Sequence, residues 1–262
     1  MAESRRDTPL YTIGFAALVC VACALPIAWA SVSLRPRQEM NARIDRLEKV
    51  LGVAGFMEAG EELTAEQVET RFTESIVPRA IDLTTGATVD SIDVATYDQR
   101  RAMKDPALSV PAPENAARVV SLPKVAVVYE VRRGDSLQAV VLPIQGYGLW
   151  STMYGYIALA GDARTVNGIT FYEHGETAGL GGEIENPRWQ AKWVGRRAVD
   201  DTGAVQLRVI KGAAGAPADD PYRVDGISGA TITGRGVTAT LDFWLGDHAF
   251  GPYLARVRAG GN

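Results

Sequence analysis

Hydrophobic and polar positions divide the chain into stretches of different period. From Thr8 to Leu34 no side chain is charged and most are apolar. A helix of about 20 such residues crosses a bilayer core and satisfies its own backbone hydrogen bonds. The run predicts an anchor over residues 1–36, with Trp29 suited to an interface and Pro26 bending the helix without excluding it. Ala28, Ala30 and Ser31 would also suit a signal-peptide cleavage site. The apolar run is longer than a signal core and leads directly into a helical segment, which favours an uncleaved anchor. Asn41 to Leu51 carries Ile44, Leu47 and Leu51 at helical spacing, a juxtamembrane helix. Leu63 to Ser75 repeats that period, with Thr64 as cap and Val68 and Phe72 four apart. From Pro78 to Pro113 the period fades, and Pro106, Pro111 and Pro113 mark a loop or linker. Residues 37–120 therefore read as a helical and irregular juxtamembrane segment packing on a soluble domain.

From Lys124 the pattern becomes β-like. Val125 to Val131 and Leu137 to Leu142 are apolar and β-branched, with Arg132 to Ser136 as the turn between them. Ser151 to Ala160 and Asn167 to Tyr172 are further strands, joined by Gly161 to Thr165. Pro187 to Trp193 suits a short helix capped by Asn186, and Val205 to Ile210 another strand. Gly234 to Leu245 reads as a helix with Val237, Leu241 and Trp244 on one face. The domain at residues 121–262 is thus α+β.

Composition removes several function classes. The 262 residues carry 27 basic and 31 acidic side chains, a net charge of -4, which argues against nucleic acid as a partner. Two cysteines and two histidines exclude a disulfide framework, a cysteine zinc site and most histidine-built metal or haem sites. Cys20 and Cys23 share one face of the apolar helix. They read as small residues facing lipid or a partner helix, or as a redox or metal pair completed by another protein of a complex. Arg5 and Arg6 on one side of the span are balanced by Arg35 and Arg37 on the other, so charge does not orient it.

Three segments concentrate special residues: Gly146-Tyr147-Gly148-Leu149-Trp150-Ser151, Glu176-Thr177-Ala178-Gly179-Leu180-Gly181-Gly182, and Asp225 to Gly234. In the third, small residues and hydroxyls run into a helix start, where unpaired N–H groups and the dipole make a phosphate site. Its Ser and Thr residues could equally be plain N-caps. The second offers a backbone on which a flat ring could lie, or a mobile glycine loop. The first is a ligand wall or a tight turn with aromatic core residues, and no helix follows it as a dinucleotide fingerprint requires. His174 reads as a satisfied structural group rather than a proton donor, and the spacing of Glu173 and Glu176 gives no acid/base geometry.

Together the segments resemble a known family. Ser228-Gly229-Ala230-Thr231-Ile232-Thr233, preceded by Asp225, is similar to the flavinylation motif of FMN-binding domains, whose last hydroxyl residue forms a phosphodiester with FMN; here that residue is Thr233. With Gly148-Leu149-Trp150-Ser151-Thr152-Met153-Tyr154-Gly155 and the Glu-Thr-x-Gly-Leu-Gly loop, the chain resembles the C subunits of the sodium-translocating NADH:quinone oxidoreductases. Ala178 departs from that pattern, where proline is expected. The G subunit of Rnf-type complexes is the nearest alternative, followed by a non-flavinylated docking or assembly module and, more distantly, a stand-alone flavoenzyme.

The resemblance implies a mainly antiparallel sheet flanked by helices, covalent FMN, and electron transfer toward ubiquinone coupled to sodium export. Ser228, Gly229, Ala230 and Thr231 would shape the phosphate turn. Thr177, Gly179, Leu180 and Gly181 would meet the ring or ribityl chain, and Leu149 and Trp150 would wall the pocket. The implied partners are the other subunits of a six-subunit membrane complex, membrane lipid, and a flavin transferase. The implied location is the bacterial inner membrane, single-pass, with the domain on the periplasmic side.

Overall fold

The structure, a computed structural model, describes residues 9–58 and 60–260. Thr8, Arg5 and Arg6, which entered the reading of the N-terminal run, lie outside them. The chain divides into two units, Met1–Asp45 and Arg46–Asn262.

The first unit holds most of α1 (Pro9–Val53), one helix where sequence periodicity suggested an anchor followed by a separate juxtamembrane helix. Pro26 and Pro36 both lie inside it. Its apolar side chains face outward: Leu25, Ile27 and Val32 are all exposed. Among the described residues it is the one helix long and apolar enough to cross a membrane, with a mean hydropathy of 2.3 over its best window. Cys20 and Cys23 are free and exposed on it.

The second unit begins with the end of α1, where Val50, Leu51 and Val53 are buried. Helix α2 (Ala65–Ser75) follows, started by a capping box between Thr64 and Gln67. Next come β1 (Val77–Asp82), the one-turn α3 (Gln99–Ala102), and a small ribbon of β2 (Ser109–Pro111) and β3 (Ser121–Pro123). Then four long strands meander: β4 (Val125–Arg133), β5 (Ser136–Tyr147), β6 (Thr152–Ala160) and β7 (Val166–Glu173). They form an antiparallel sheet in the order β1-β4-β5-β6-β7. A 3₁₀ turn (Gly181–Glu185), α4 (Pro187–Gln190), the parallel pair β8 (Arg208–Val209) and β9 (Arg223–Val224), α5 (Thr231–Leu245) and α6 (Gly251–Arg258) complete the unit.

Among the elements that differ from the sequence pattern, three do so for a visible physical reason, whereas the strand expected over Val205 to Ile210 is reduced to the two residues of β8. Strand β1 lies in the stretch whose periodicity fades, because Pro78 removes a donor; the strand is viable at the sheet's edge, where β4 is its one partner strand and only an isolated bridge, Ile81↔Thr88, covers its other side. The sheet thereby draws a strand from residues 37–120, and the compact unit begins at Arg46 rather than near residue 120. Strand β5 continues past Leu142 through Pro143, because its ladder with β4 ends at Tyr129↔Val141 and leaves Pro143 paired to Tyr156 of β6 alone. Helix α5 begins three residues before Gly234, which places Thr233 in its first turn.

The core lies between the sheet and α5. Val237, Leu241 and Trp244, the face expected from spacing, are fully buried with Leu142, Ile144, Met153 and Ile157 of the sheet. The approach is close enough to be a backbone contact. A Cβ on Gly236 would lie 2.5 Å from the Tyr147 carbonyl oxygen and 3.1 Å from Gly148 Cα. Trp244 Nε1 donates to the Gln145 carbonyl at 2.6 Å.

Gly236→Ala should therefore destabilise the domain by about 1–3 kcal/mol, since strand and helix must separate. Gly52→Ala, a helical position with nothing within 4 Å of the added atom, should be neutral or stabilising by up to about 1 kcal/mol. Thermal melts of the two variants against wild type check both signs.

Candidate functional site

The three glycine-rich segments converge on one carboxylate. Strand β5 ends at Tyr147, and the turn to β6 closes through Gly148 N–H donating to the Ser151 carbonyl at 2.8 Å. This turn points the amides of Leu149 and Trp150 inward. Both donate to Glu176 Oε1, at 3.0 and 2.9 Å, and the Leu149 amide also lies 3.1 Å from Oε2. After β7 the chain reverses, with Gly175 N–H donating to Ser151 Oγ at 2.6 Å and Glu176 N–H to His174 Nδ1 at 3.1 Å. These bonds aim the Glu176 side chain under the turn. Thr233, the third residue of α5, donates its Oγ1 proton to Glu176 Oε2 at 2.5 Å. Thr233 is fully buried and Glu176 is 8% exposed.

The pair fits because the surrounding backbone carries no side chains. A Cβ on Gly181 would stand 2.6 Å from Thr233 Oγ1 and 2.7 Å from Glu176 Oε2. Burial by itself pushes the Glu176 carboxyl up. The Thr233 hydroxyl and the amides of Trp150, Leu149 and Ser151 outweigh that and hold it below its ordinary value.

The N-terminus of α5 is open. Its N-cap is Ala230, and no side chain caps it, so the Ser and Thr residues that could have been caps are not. Gly229 takes a left-handed φ of 73° to turn the chain into the helix. Ser228, Gly229, Ala230 and Thr231 line a cavity of about 470 Å³ that also receives Lys211 and Arg235. Asp225 braces the preceding loop: it accepts from Lys192 Nζ at 2.5 Å and from Ala214 N–H at 2.9 Å, and its carbonyl accepts from Trp189 Nε1 at 2.9 Å.

The residues singled out in the sequence thus fall on two sides of Thr233. Ser228 to Thr231 face the cavity. Gly181 lies against the Thr233–Glu176 pair, while Thr177, Gly179 and Leu180 form an exposed loop over it. Leu149 and Trp150 do not line the cavity; they are 39% and 63% exposed, and Ile232 of the motif segment is 54% exposed. The two sides touch where Leu180 meets Gly229, whose added Cβ would be 2.8 Å from Leu180 Cδ2.

Glu176 is the residue that sequence reasoning undervalued. Its apparent companion, Glu173, instead forms a two-pronged ion pair with Arg100 at 2.7 and 2.9 Å. The usable signal was position: an acidic residue directly before a run of glycines that leave it room. His174 supports the loop as an acceptor, and its Nε2 lies 3.1 Å from Glu185 Oε1 without hydrogen-bond alignment.

Comparison with known proteins finds relatives over nearly the whole chain. Residues 148–246 match the family described as FMN-binding domain. The C subunit of the Na(+)-translocating NADH-quinone reductase of Vibrio parahaemolyticus is 43% identical, with 98% of each chain covered. That of Vibrio anguillarum is 45% identical, again over 98% of each chain. The crystal structure of Shewanella oneidensis NqrC superposes with a TM-score of 0.76 at 33% identity, covering 84% of this chain and 99% of that one.

A carboxyl whose folded-state pKa is depressed contributes stability that is present above its unfolded value and lost as pH falls through the folded one. The Glu176 contribution should therefore be complete at neutral pH and disappear below about 4.5, the ordinary value from which it is lowered. Urea melts of unmodified wild type and Glu176→Gln between neutral and acid pH check this. Their stability difference should shrink on acidification; parallel curves would refute it.

Proposed function

This chain belongs to the family of C subunits of the Na(+)-translocating NADH-quinone reductases, and on that premise we propose that it carries FMN esterified to Thr233 and relays electrons between the members of such a reductase. The observation that carries the reading is the placement of the Thr233 hydroxyl. It lies in the first turn of an uncapped 15-residue helix, fixed by Glu176, where all three motif segments meet. The adjoining cavity of about 470 Å³ falls within the range of ligand sites, roughly 300–1,000 Å³.

Bound FMN supplies one-electron redox chemistry, which no side chain here provides. The protein contributes attachment, orientation and charge. Thr233 would hold the phosphate through its ester. The unpaired amides and positive dipole end of α5 favour that phosphate's charge, and Lys211 and Arg235 add cations at the cavity wall. Ser228, Gly229, Ala230 and Thr231 would shape the phosphate turn. Leu149, Trp150 and Leu180 offer apolar surface to a ring, and Thr177, Gly179 and Gly181 a backbone with little side-chain bulk.

The exposed apolar α1 supports anchoring by a single span; the inner membrane and the periplasmic side for the FMN domain enter this reading from the family resemblance alone. The relatives' names support a place between NADH and quinone coupled to sodium export. Partners in this reading are the remaining subunits of the complex, lipid around α1, and a flavin transferase that loads Thr233.

Peptide mass spectrometry of the denatured protein from its native membrane tests the proposal. The fragment containing Ser228 to Arg235 should carry FMN mass less one water, assigned to Thr233. Thr233→Val should abolish it and Thr233→Ser should retain it. An unmodified wild-type fragment, with flavin present on partner proteins of the same preparation, would replace the carrier reading with a docking module.

A further inference from the structure

We infer that Glu176 is the general base for flavin attachment, so that this chain brings its own proton acceptor to the modification of Thr233. The inference rests on the reading of Thr233 as the attachment residue. A base must lie within hydrogen-bond reach of the proton it takes. Glu176 Oε2 is 2.5 Å from Thr233 Oγ1 and receives its proton in the resting structure. The carboxylate is kept ionised by the Leu149 and Trp150 amides, which also prevent it from swinging away.

The donor follows from the chemistry. Esterification by FMN itself would have to expel water, whereas a phosphoanhydride of FMN, a flavin dinucleotide, has a good leaving group. Thr233 Oγ1 forms its bond to the FMN-side phosphorus and the anhydride P–O bond breaks. A nucleoside monophosphate departs, and the hydroxyl proton passes to Glu176 Oε2. No electron changes hands. This is the role an aspartate plays toward a substrate hydroxyl in kinase phosphoryl transfer.

The buried hydroxyl must be uncovered first, and the structure shows which segment covers it. Gly181 lies directly over the pair. The loop leading to it is bonded within itself, Leu180 N–H at 3.1 Å and Gly182 N–H at 2.9 Å both donating to the Thr177 carbonyl. In this proposal residues 177–182 lift off the pair, while Glu176 stays tied to the Leu149–Trp150 turn and aligned with Thr233.

The test is single-turnover attachment to the unmodified full-length chain in detergent, with flavin adenine dinucleotide and a flavin transferase, read by intact-protein mass. Wild type that never gains flavin refutes the reading of Thr233 itself, independently of Glu176. With wild type loading, Glu176→Gln should slow attachment by about 100-fold or more, the usual worth of a general base. Glu176→Ala should be slow too, and added formate or acetate should restore its rate in proportion to concentration. Thermal melts accompany each variant. A folded Glu176→Gln within about threefold of the wild-type rate overturns the inference, as does a folded Glu176→Ala that formate leaves unchanged. If neither variant folds, Glu176→Asp decides: it keeps a carboxylate for the amides but retracts it from Thr233. A loss of about tenfold or more then supports the base, and an unaltered rate overturns it.

Discussion

The buried carboxylate of Glu176 is the constraint around which the site is arranged. Taking an ionised carboxyl out of water costs several kcal/mol unless its oxygens are satisfied. Here the satisfying donors come from outside its own loop: two amides of the β5–β6 turn and a hydroxyl of α5. Each donor binds only if its segment takes the observed conformation. The charge therefore couples three segments that share no regular secondary structure. The same bonds lower the carboxyl's pKa, because donors that favour the charged form both stabilise it and hold it in place.

The coupling works only because the scaffold delivers α5 to the correct depth. Gly236 lets the helix rest on the Tyr147 carbonyl, and Trp244 bonds the Gln145 carbonyl just before the site. Thr240 packs where Gly146 leaves no side chain. Backbone contacts of this kind have little play, so they set the height of the first helical turn above the end of β5. Thr233 inherits its distance from Glu176 from that contact. A helix resting on larger side chains would leave the hydroxyl and carboxylate farther apart.

Legibility in the sequence followed the range of the interactions involved. Thr64 and Asn186 cap their helices through groups two or three residues away, and both elements were readable. The core face of α5 was readable from the 3.6-residue period of Val237, Leu241 and Trp244. Strand β1 was not, because its proline is tolerated only at a sheet edge, and edge position is a tertiary fact. The motif pointed to Thr233 by resemblance, yet the same hydroxyl-rich string also read as helix caps, and the structure leaves the helix uncapped. Glu176 was the least legible. Its bonds reach Trp150 and Thr233 across 26 and 57 residues, and such links leave no period or spacing behind. What they do leave is a set of glycines whose missing Cβ atoms mark where the carboxylate and hydroxyl sit.

The shallowness of the site and the proposed covalent link are two sides of one requirement. A carrier that exchanges electrons with more than one partner needs its cofactor near the surface. The apolar groups around the motif, Leu149, Trp150, Leu180 and Ile232, are all substantially exposed. A ring resting on them would bury far less area than one enclosed in a core, and non-covalent affinity scales with what is buried and preorganised. A dissociable flavin in such a place would be lost to dilution. Anchoring the phosphate by an ester removes affinity from the problem and leaves the exposed edge free for transfer. On this reading, the deeply set Thr233 and the open apolar rim serve one purpose: a buried, rigid attachment point beneath an accessible redox group.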